Sequence, residues 1–124
     1  MTLGLTLAVG VLCGLAATAR YALSLSAARD TFPWPTIAVN AAGTAILAAA
    51  LAAHSSGALS DSALVVLGAG AAGGLTTFST LAVDAVRLAS RNRWVAFWLY
   101  LVVTLAAGLA ASWGAWATTT ALLG

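Results

Sequence analysis

The chain has very little charge and contains no lysine or glutamate. Only 6% of its 124 residues are charged, whereas charged residues make up about a quarter of a soluble domain. Hydrophobic residues make up 62%, and the formal net charge is +2. This balance excludes an ordinary soluble domain, and so small a positive charge does not indicate a nucleic-acid-binding surface. We predict an integral membrane protein.

Cysteine, histidine and proline are also scarce: the chain has one cysteine, one histidine and two prolines. Cys13 lies inside an apolar run, where a small buried residue is a better interpretation than a redox or metal-binding thiol. The remaining titratable residues form no metal-binding cluster in the sequence. We expect no enzymatic activity.

What the chain does contain is long apolar runs. A bilayer core of about 30 Å requires about 20 apolar residues per helix. Four runs meet this length, and we predict an all-α domain with spans at about 3–25, 35–53, 63–88 and 94–119. In the first span, Gly10, Gly14 and Thr18 form a stripe of small residues, for which we expect close packing against another helix.

The third span contains an unusual polar stretch, Gly-Gly-Leu-Thr-Thr-Phe-Ser-Thr at positions 73–80. A helix can break inside a membrane only where protein or water satisfies the freed backbone groups. The predicted span is also longer than a continuous helix needs to be. We predict a helix broken at mid-membrane that forms an ion or substrate site. A close helix contact rich in glycine and threonine is the structural alternative.

The arginines are distributed unevenly. Arg29 lies in the first predicted loop, and Arg87, Arg91 and Arg93 flank the third, whereas the middle loop and both terminal segments contain no arginine or lysine. By the positive-inside rule, both arginine-bearing loops are cytoplasmic. We therefore expect a multi-pass protein of the cell membrane with both termini outside.

Several polar residues inside the spans are candidates for a conduction path. Asn40 lies within the second span, where it could line a pore or cross-link helices. Tyr100 and Thr104 share one face of the fourth span, as either a path or a contact surface. Arg20 could snorkel or add positive potential. Amide and hydroxyl donors together with an arginine suit a small anion best. Because four short helices cannot easily enclose a path alone, they imply a partner subunit.

Three segments resemble the fluoride-specific ion channels of the Fluc (CrcB) family. They are Gly14–Arg20 with the adjacent Tyr21, Pro35 with Val39–Gly43, and above all Gly73–Thr80. The resemblance extends over all four spans. It implies a dual-subunit channel in which two four-helix subunits pack antiparallel and passively export cytoplasmic fluoride, which relieves fluoride toxicity.

The resemblance also implies roles for individual residues. The backbone carbonyls of Gly73 and Thr76 would hold a structural sodium ion, which is not transported. Arg20 would lie near the vestibule. The fluoride pore would be lined by Asn40, Phe78, Ser79, Thr80, Tyr100 and Thr104.

Two positions depart from the family pattern: Leu81 stands where a second pore phenylalanine is expected, and Asp84 where glutamate is usual. Leucine has no positive ring edge, so two copies of this chain would lack one aromatic site. Together with the arginine bias, this favours a heterodimer with a homologous subunit of opposite charge bias, although a homodimer is possible.

Two other functions remain open at this point. A small multidrug-type antiporter would need a titrating carboxylate, realistically Asp84, although the first two spans contain none. A non-transporting accessory membrane protein would tolerate the loss of Phe78 and Asn40.

Overall fold

The structure is a computed structural model that describes residues 2–25 and 32–124. Its helices are α1 (Leu3–Leu25), α2 (Trp34–Ser55), α3 (Asp61–Val65), a π-helical segment (Val66–Ala72), α4 (Gly73–Leu75), α5 (Phe78–Ser90) and α6 (Trp94–Leu123). Four stretches of the described chain are long and apolar enough to cross a membrane, namely α1, α2, Asp61–Ser90 and α6. The prediction of an all-helical protein with four spans is confirmed. Arg29, used above to orient the chain, lies outside the described residues.

Local sequence explains where several helices begin. Pro35 lies in the first turn of α2, where the absence of an amide hydrogen costs no helical bond. The Ser60 hydroxyl accepts a bond from the Ala63 amide at 3.3 Å and caps α3. The Thr77 hydroxyl accepts one from the Thr80 amide at 3.2 Å and caps α5.

The central helix is α2, which packs most extensively against α6 and also contacts the π-helical segment and α4. The remaining helices divide into two groups. α1 packs mainly on the π-helical segment and α4, whereas α5 packs on α6. The two halves of the third span therefore contact different helices. A small core between α2, α5 and α6 contains Ile37, Ala85, Leu88 and Tyr100.

Glycines of the second and third spans provide the closest helix contacts. A Cβ atom at Gly74 would collide with the backbone of Cys13 in α1, and one at Gly43 in α2 would collide with Thr76. The expected packing through Gly10 and Gly14 is not found among the described residues, because a Cβ atom at either would meet nothing within 4 Å. The side of α1 that packs carries Cys13, and these two glycines are exposed.

We predict that Gly74→Ala lowers the free energy of unfolding in detergent micelles by about 1–3 kcal/mol, because the backbone of α1 must move to admit the methyl group. Gly14→Ala is the matched control and should change it by less than about 1 kcal/mol. Chemical denaturation followed by circular dichroism measures both. A larger decrease in the free energy of unfolding for Gly14→Ala would indicate instead that the small-residue stripe of α1 makes the more important helix contact.

Candidate functional site

The backbone leaves the helical conformation at two consecutive residues of the third span. Thr76 has φ −76° and ψ 152°, and Thr77 has φ −149° and ψ 120°. Both conformations are extended, so α4 ends at Leu75 and α5 begins at Phe78. The peptide groups here lose helical partners and need others.

Asn40 of α2 supplies two of these partners. Its Oδ1 accepts a hydrogen bond from the Thr77 amide at 2.7 Å, and its Nδ2 donates one to the Thr77 carbonyl at 3.2 Å. The Asn40 side chain thus binds both backbone groups of one extended residue. Of the two roles left open by the sequence, cross-linking helices is the one these contacts support directly, and one Nδ2 hydrogen remains for another acceptor.

Thr77 is the polar centre of the site, although sequence reasoning did not include it among the site residues. Its hydroxyl donates to the Thr80 hydroxyl at 3.0 Å and lies 3.3 Å from the hydroxyl oxygen of Ser79. Thr77 is buried, with 8% exposure. Its signal in the sequence is the N-cap preference for threonine directly before a helix.

Arg20 of α1 reaches the other side of this interruption. Its Nε donates a hydrogen bond to the Gly74 carbonyl oxygen at 3.3 Å, and the contact is partly buried. The guanidinium therefore lies at the C-terminal end of α4, where a positive charge is favourable.

The carbonyls of Gly73 and Thr76 have lost their usual helical donors. In a continuous helix the Thr77 amide would bond to Gly73, but it bonds to Asn40. The Thr80 amide would bond to Thr76, but it bonds to the Thr77 hydroxyl. Two backbone oxygens with displaced donors, next to an exposed glycine, suit a hard cation such as sodium.

Phe78 and Leu81 have different surroundings. The Phe78 side chain is 81% exposed, so within one chain its ring faces outward. Leu81 packs against the core of Ile37, Ala85, Leu88 and Tyr100. The leucine that departs from the family pattern is thus a packing residue in this chain.

Tyr100 and Thr104 form a second polar pair on α6. Tyr100 is fully buried, and its hydroxyl lies near the Thr36 hydroxyl and the Asp84 carboxylate without a well-formed bond to either. The Thr104 hydroxyl has no hydrogen-bond partner among the described residues. A buried polar group without a partner costs about 1–3 kcal/mol. These two hydroxyls could donate to an ion or a water molecule.

A cavity of about 440 Å³ opens between the ends of α1 and α5 and the beginning of α2. Thr80, Asp84 and Arg87 are among the residues that line it, but Arg20 is not. Arg87 and Asp84, three residues apart on α5, form an ion pair in which Arg87 Nη1 lies 3.5 Å from Asp84 Oδ1. The Thr36 hydroxyl, which sequence reasoning did not single out, donates to Asp84 Oδ2 at 2.7 Å.

The predicted site residues therefore fall into separate groups. Asn40, Ser79 and Thr80 converge on Thr77, and Arg20 bonds beside Gly73. Phe78 points away from the chain. Tyr100 and Thr104 lie on α6, and one chain does not join these groups into a closed path.

Comparison with known proteins gives a consistent result. The family profile described as "CrcB-like protein, Camphor Resistance (CrcB)" matches residues 7–116. A protein of Aromatoleum aromaticum named fluoride-specific ion channel FluC is 36% identical over 121 residues, covering 95% of this chain and 92% of its own length. The fluoride-specific ion channel FluC 1 of Thermobifida fusca is 41% identical over 108 residues, covering 85% of each chain. FluC 2 of Rhodococcus jostii is 43% identical over 83 residues, covering 67% of this chain and 69% of its own length.

We predict that Asn40→Ala destabilises the protein by about 2–4 kcal/mol, because it leaves two backbone groups of Thr77 without partners. Ser112→Ala is the control, since that hydroxyl bonds only to the carbonyl of Leu109 in its own helix, and it should change stability by less than about 0.5 kcal/mol. Denaturant unfolding in micelles compares the two. Equal stability of Asn40→Ala and the unmodified protein would contradict the structural role.

Proposed function

Because the chain belongs to the CrcB family, we propose that it is a fluoride-selective channel that passively exports cytoplasmic fluoride and so relieves fluoride toxicity. The observation that carries this function is the match to curated channels along nearly the whole chain, at 36% identity over 95% of its length. The same relatives, which are named as channels, argue against the antiporter and accessory alternatives.

The chemistry of the polar residues supports an anion path. Fluoride that leaves water needs hydrogen-bond donors to replace its hydration shell. The hydroxyls of Tyr100 and Thr104, which make no well-formed hydrogen bond to the described residues, are such donors, and Ser79 and Thr80 add hydroxyls at the beginning of α5. The exposed ring of Phe78 can offer its positive edge. Asn40 has one amide hydrogen left for the ion after bonding to Thr77.

We propose that two subunits are needed to enclose this path. Phe78 is 81% exposed, and Ser79 and Gly73 are also exposed in the single chain. Phe78 and Ser79 are assigned to the pore and Gly73 to the sodium site. A second subunit that covers their exposed surfaces would complete the pore. An antiparallel arrangement is the one that the family resemblance implies. Leu81 and the arginine bias favour a homologous but different partner.

A structural sodium ion would bind where the third span is interrupted, which we place at mid-depth of the membrane. The displaced helical donors of the Gly73 and Thr76 carbonyls support this assignment. When bound, the ion would supply positive charge at the subunit contact and hold the two chains together. Backbone carbonyls can hold such an ion without a carboxylate.

We predict that proteoliposomes containing this purified chain and its oppositely oriented homologue release fluoride rapidly, whereas chloride-loaded vesicles do not. A fluoride electrode measures the efflux. Phe78→Ala should greatly reduce the flux, because it removes the exposed ring, and Trp113→Ala, an equally exposed aromatic on α6 that lies outside the proposed path, should not.

The same assay tests whether this chain needs a different subunit as its partner. Fluoride-selective efflux by this chain alone would refute the need for a heterologous subunit while supporting the channel function. Equal loss of fluoride and chloride would contradict selectivity. Absence of efflux with any oppositely oriented homologue would contradict the function itself.

We propose that both termini face outward, because the arginines at positions 87, 91 and 93 lie between α5 and α6 or close to that turn. A cysteine appended after Gly124 should then react in intact cells with a charged, membrane-impermeant maleimide, in a Cys13→Ala background. A cysteine at Asn92, between α5 and α6, should react only after permeabilisation. The reverse labelling pattern would contradict this orientation.

A further inference from the structure

The contact between Arg20 and the Gly74 carbonyl brings the arginine of the first span to the interruption of the third span. The residue lies in α1, its Nε bonds to the last turn before the extended residues, and the contact is partly buried. It does not line the cavity that contains Thr80 and Asp84. The bond joins residues 54 apart in sequence, so it links two spans.

This link acts where α1 and α4 are already in direct contact. A Cβ at Gly74 would touch the backbone of Cys13 and lie 3.0 Å from the Ala16 Cβ. Arg20 follows Ala16 by one helical turn and thus continues the same side of α1. The glycine sets the distance between the helices, and the guanidinium fixes the direction of the carbonyl.

The hydrogen bonds of the neighbouring carbonyl groups show why the orientation of the Gly74 carbonyl matters. The Ala72 oxygen accepts from both the amide and the hydroxyl of Thr76, each at 3.0 Å. The Gly74 oxygen accepts a hydrogen bond from Arg20 Nε. The Gly73 and Thr76 carbonyls, whose helical donors are engaged elsewhere, are the ones assigned to sodium. Arg20 holds the oxygen of the Gly74–Leu75 peptide, which follows the Gly73 carbonyl in sequence and leads towards Thr76. Rotation of this peptide would change the backbone angles on both of its sides and so shift the segments that carry the Gly73 and Thr76 carbonyls relative to each other.

Two effects of Arg20 on a bound cation have opposite signs. Holding the turn in place favours the cation, because ligands that are already oriented cost less to assemble. A positive charge beside the site repels the cation. The sign of the change when Arg20 is removed therefore distinguishes positioning from electrostatic repulsion.

We propose that Arg20 is a positioning residue for the sodium site, which holds the turn at Gly74 so that the carbonyls of Gly73 and Thr76 face the ion. This inference rests on the proposed sodium site but not on fluoride conduction. It assigns Arg20 to the interior of the fold as a support for the carbonyl ligands.

The test measures stabilisation of the detergent-solubilised protein, with its partner subunit, by sodium chloride against N-methylglucamine chloride at constant ionic strength. Thermal unfolding gives the sodium concentration for half-maximal stabilisation. For Arg20→Met this concentration should rise about five- to tenfold, the effect of losing one hydrogen bond of ordinary net strength. Arg20→Lys, which keeps the charge and a donor, should restore part of the affinity.

Arg91→Gln is the matched control, because it removes an exposed arginine at the end of α5, and its sodium midpoint should equal that of the unmodified protein. An unchanged or lower sodium midpoint for Arg20→Met would overturn the positioning role. A lower midpoint would indicate that the Arg20 charge repels the sodium ion. Failure of sodium to stabilise the unmodified protein would overturn it as well.

Fluoride efflux from the same preparations separates this inference from the channel function. A preparation that conducts fluoride but shows no response to sodium contradicts only the sodium site and the role of Arg20. A preparation that sodium stabilises with the expected Arg20 dependence, but that conducts no fluoride, supports the inference and contradicts the proposed function.

Discussion

The structure depends on how the backbone at Thr76 and Thr77 is satisfied outside a helix. In a membrane, lipid cannot replace lost helical hydrogen bonds, so protein groups or enclosed water must do so, and here side chains supply them. Asn40 binds both the amide and the carbonyl of Thr77, the Thr77 hydroxyl caps α5, and Arg20 binds the Gly74 carbonyl. Without these partners a continuous helix would be more stable at this point.

This requirement explains why small residues surround the interruption. Side chains from α1 and α2 reach the backbone of the third span only if the helices approach closely. Gly74 allows the approach of α1, and Gly43 allows that of α2. The central position of α2, which also contacts α6, lets a single helix hold both the interruption and the hydroxyl-bearing face of the fourth span.

The single chain leaves its functional groups incompletely surrounded. The Phe78 ring faces outward, whereas the Tyr100 and Thr104 hydroxyls lie inside without a well-formed hydrogen bond to the described residues. Such groups are costly in an isolated membrane protein but useful in a channel, where an anion can use the donors and a second subunit can cover the ring. Membership of the CrcB family is consistent with both features.

The sequence by itself determined the membrane class, the four spans and the position of the polar stretch, because apolar run length and glycine–threonine clustering are local properties. It also identified Asn40 as an amide that is costly within a span unless it forms hydrogen bonds, but left open whether that amide lines a path or joins helices. Only the tertiary structure decided that its two polar atoms bind Thr77, that Arg20 reaches Gly74, and that the glycines of α1 face away from the chain. These outcomes depend on which helix faces are apposed, and helices of nearly uniform hydrophobicity carry little information about their rotation in the sequence.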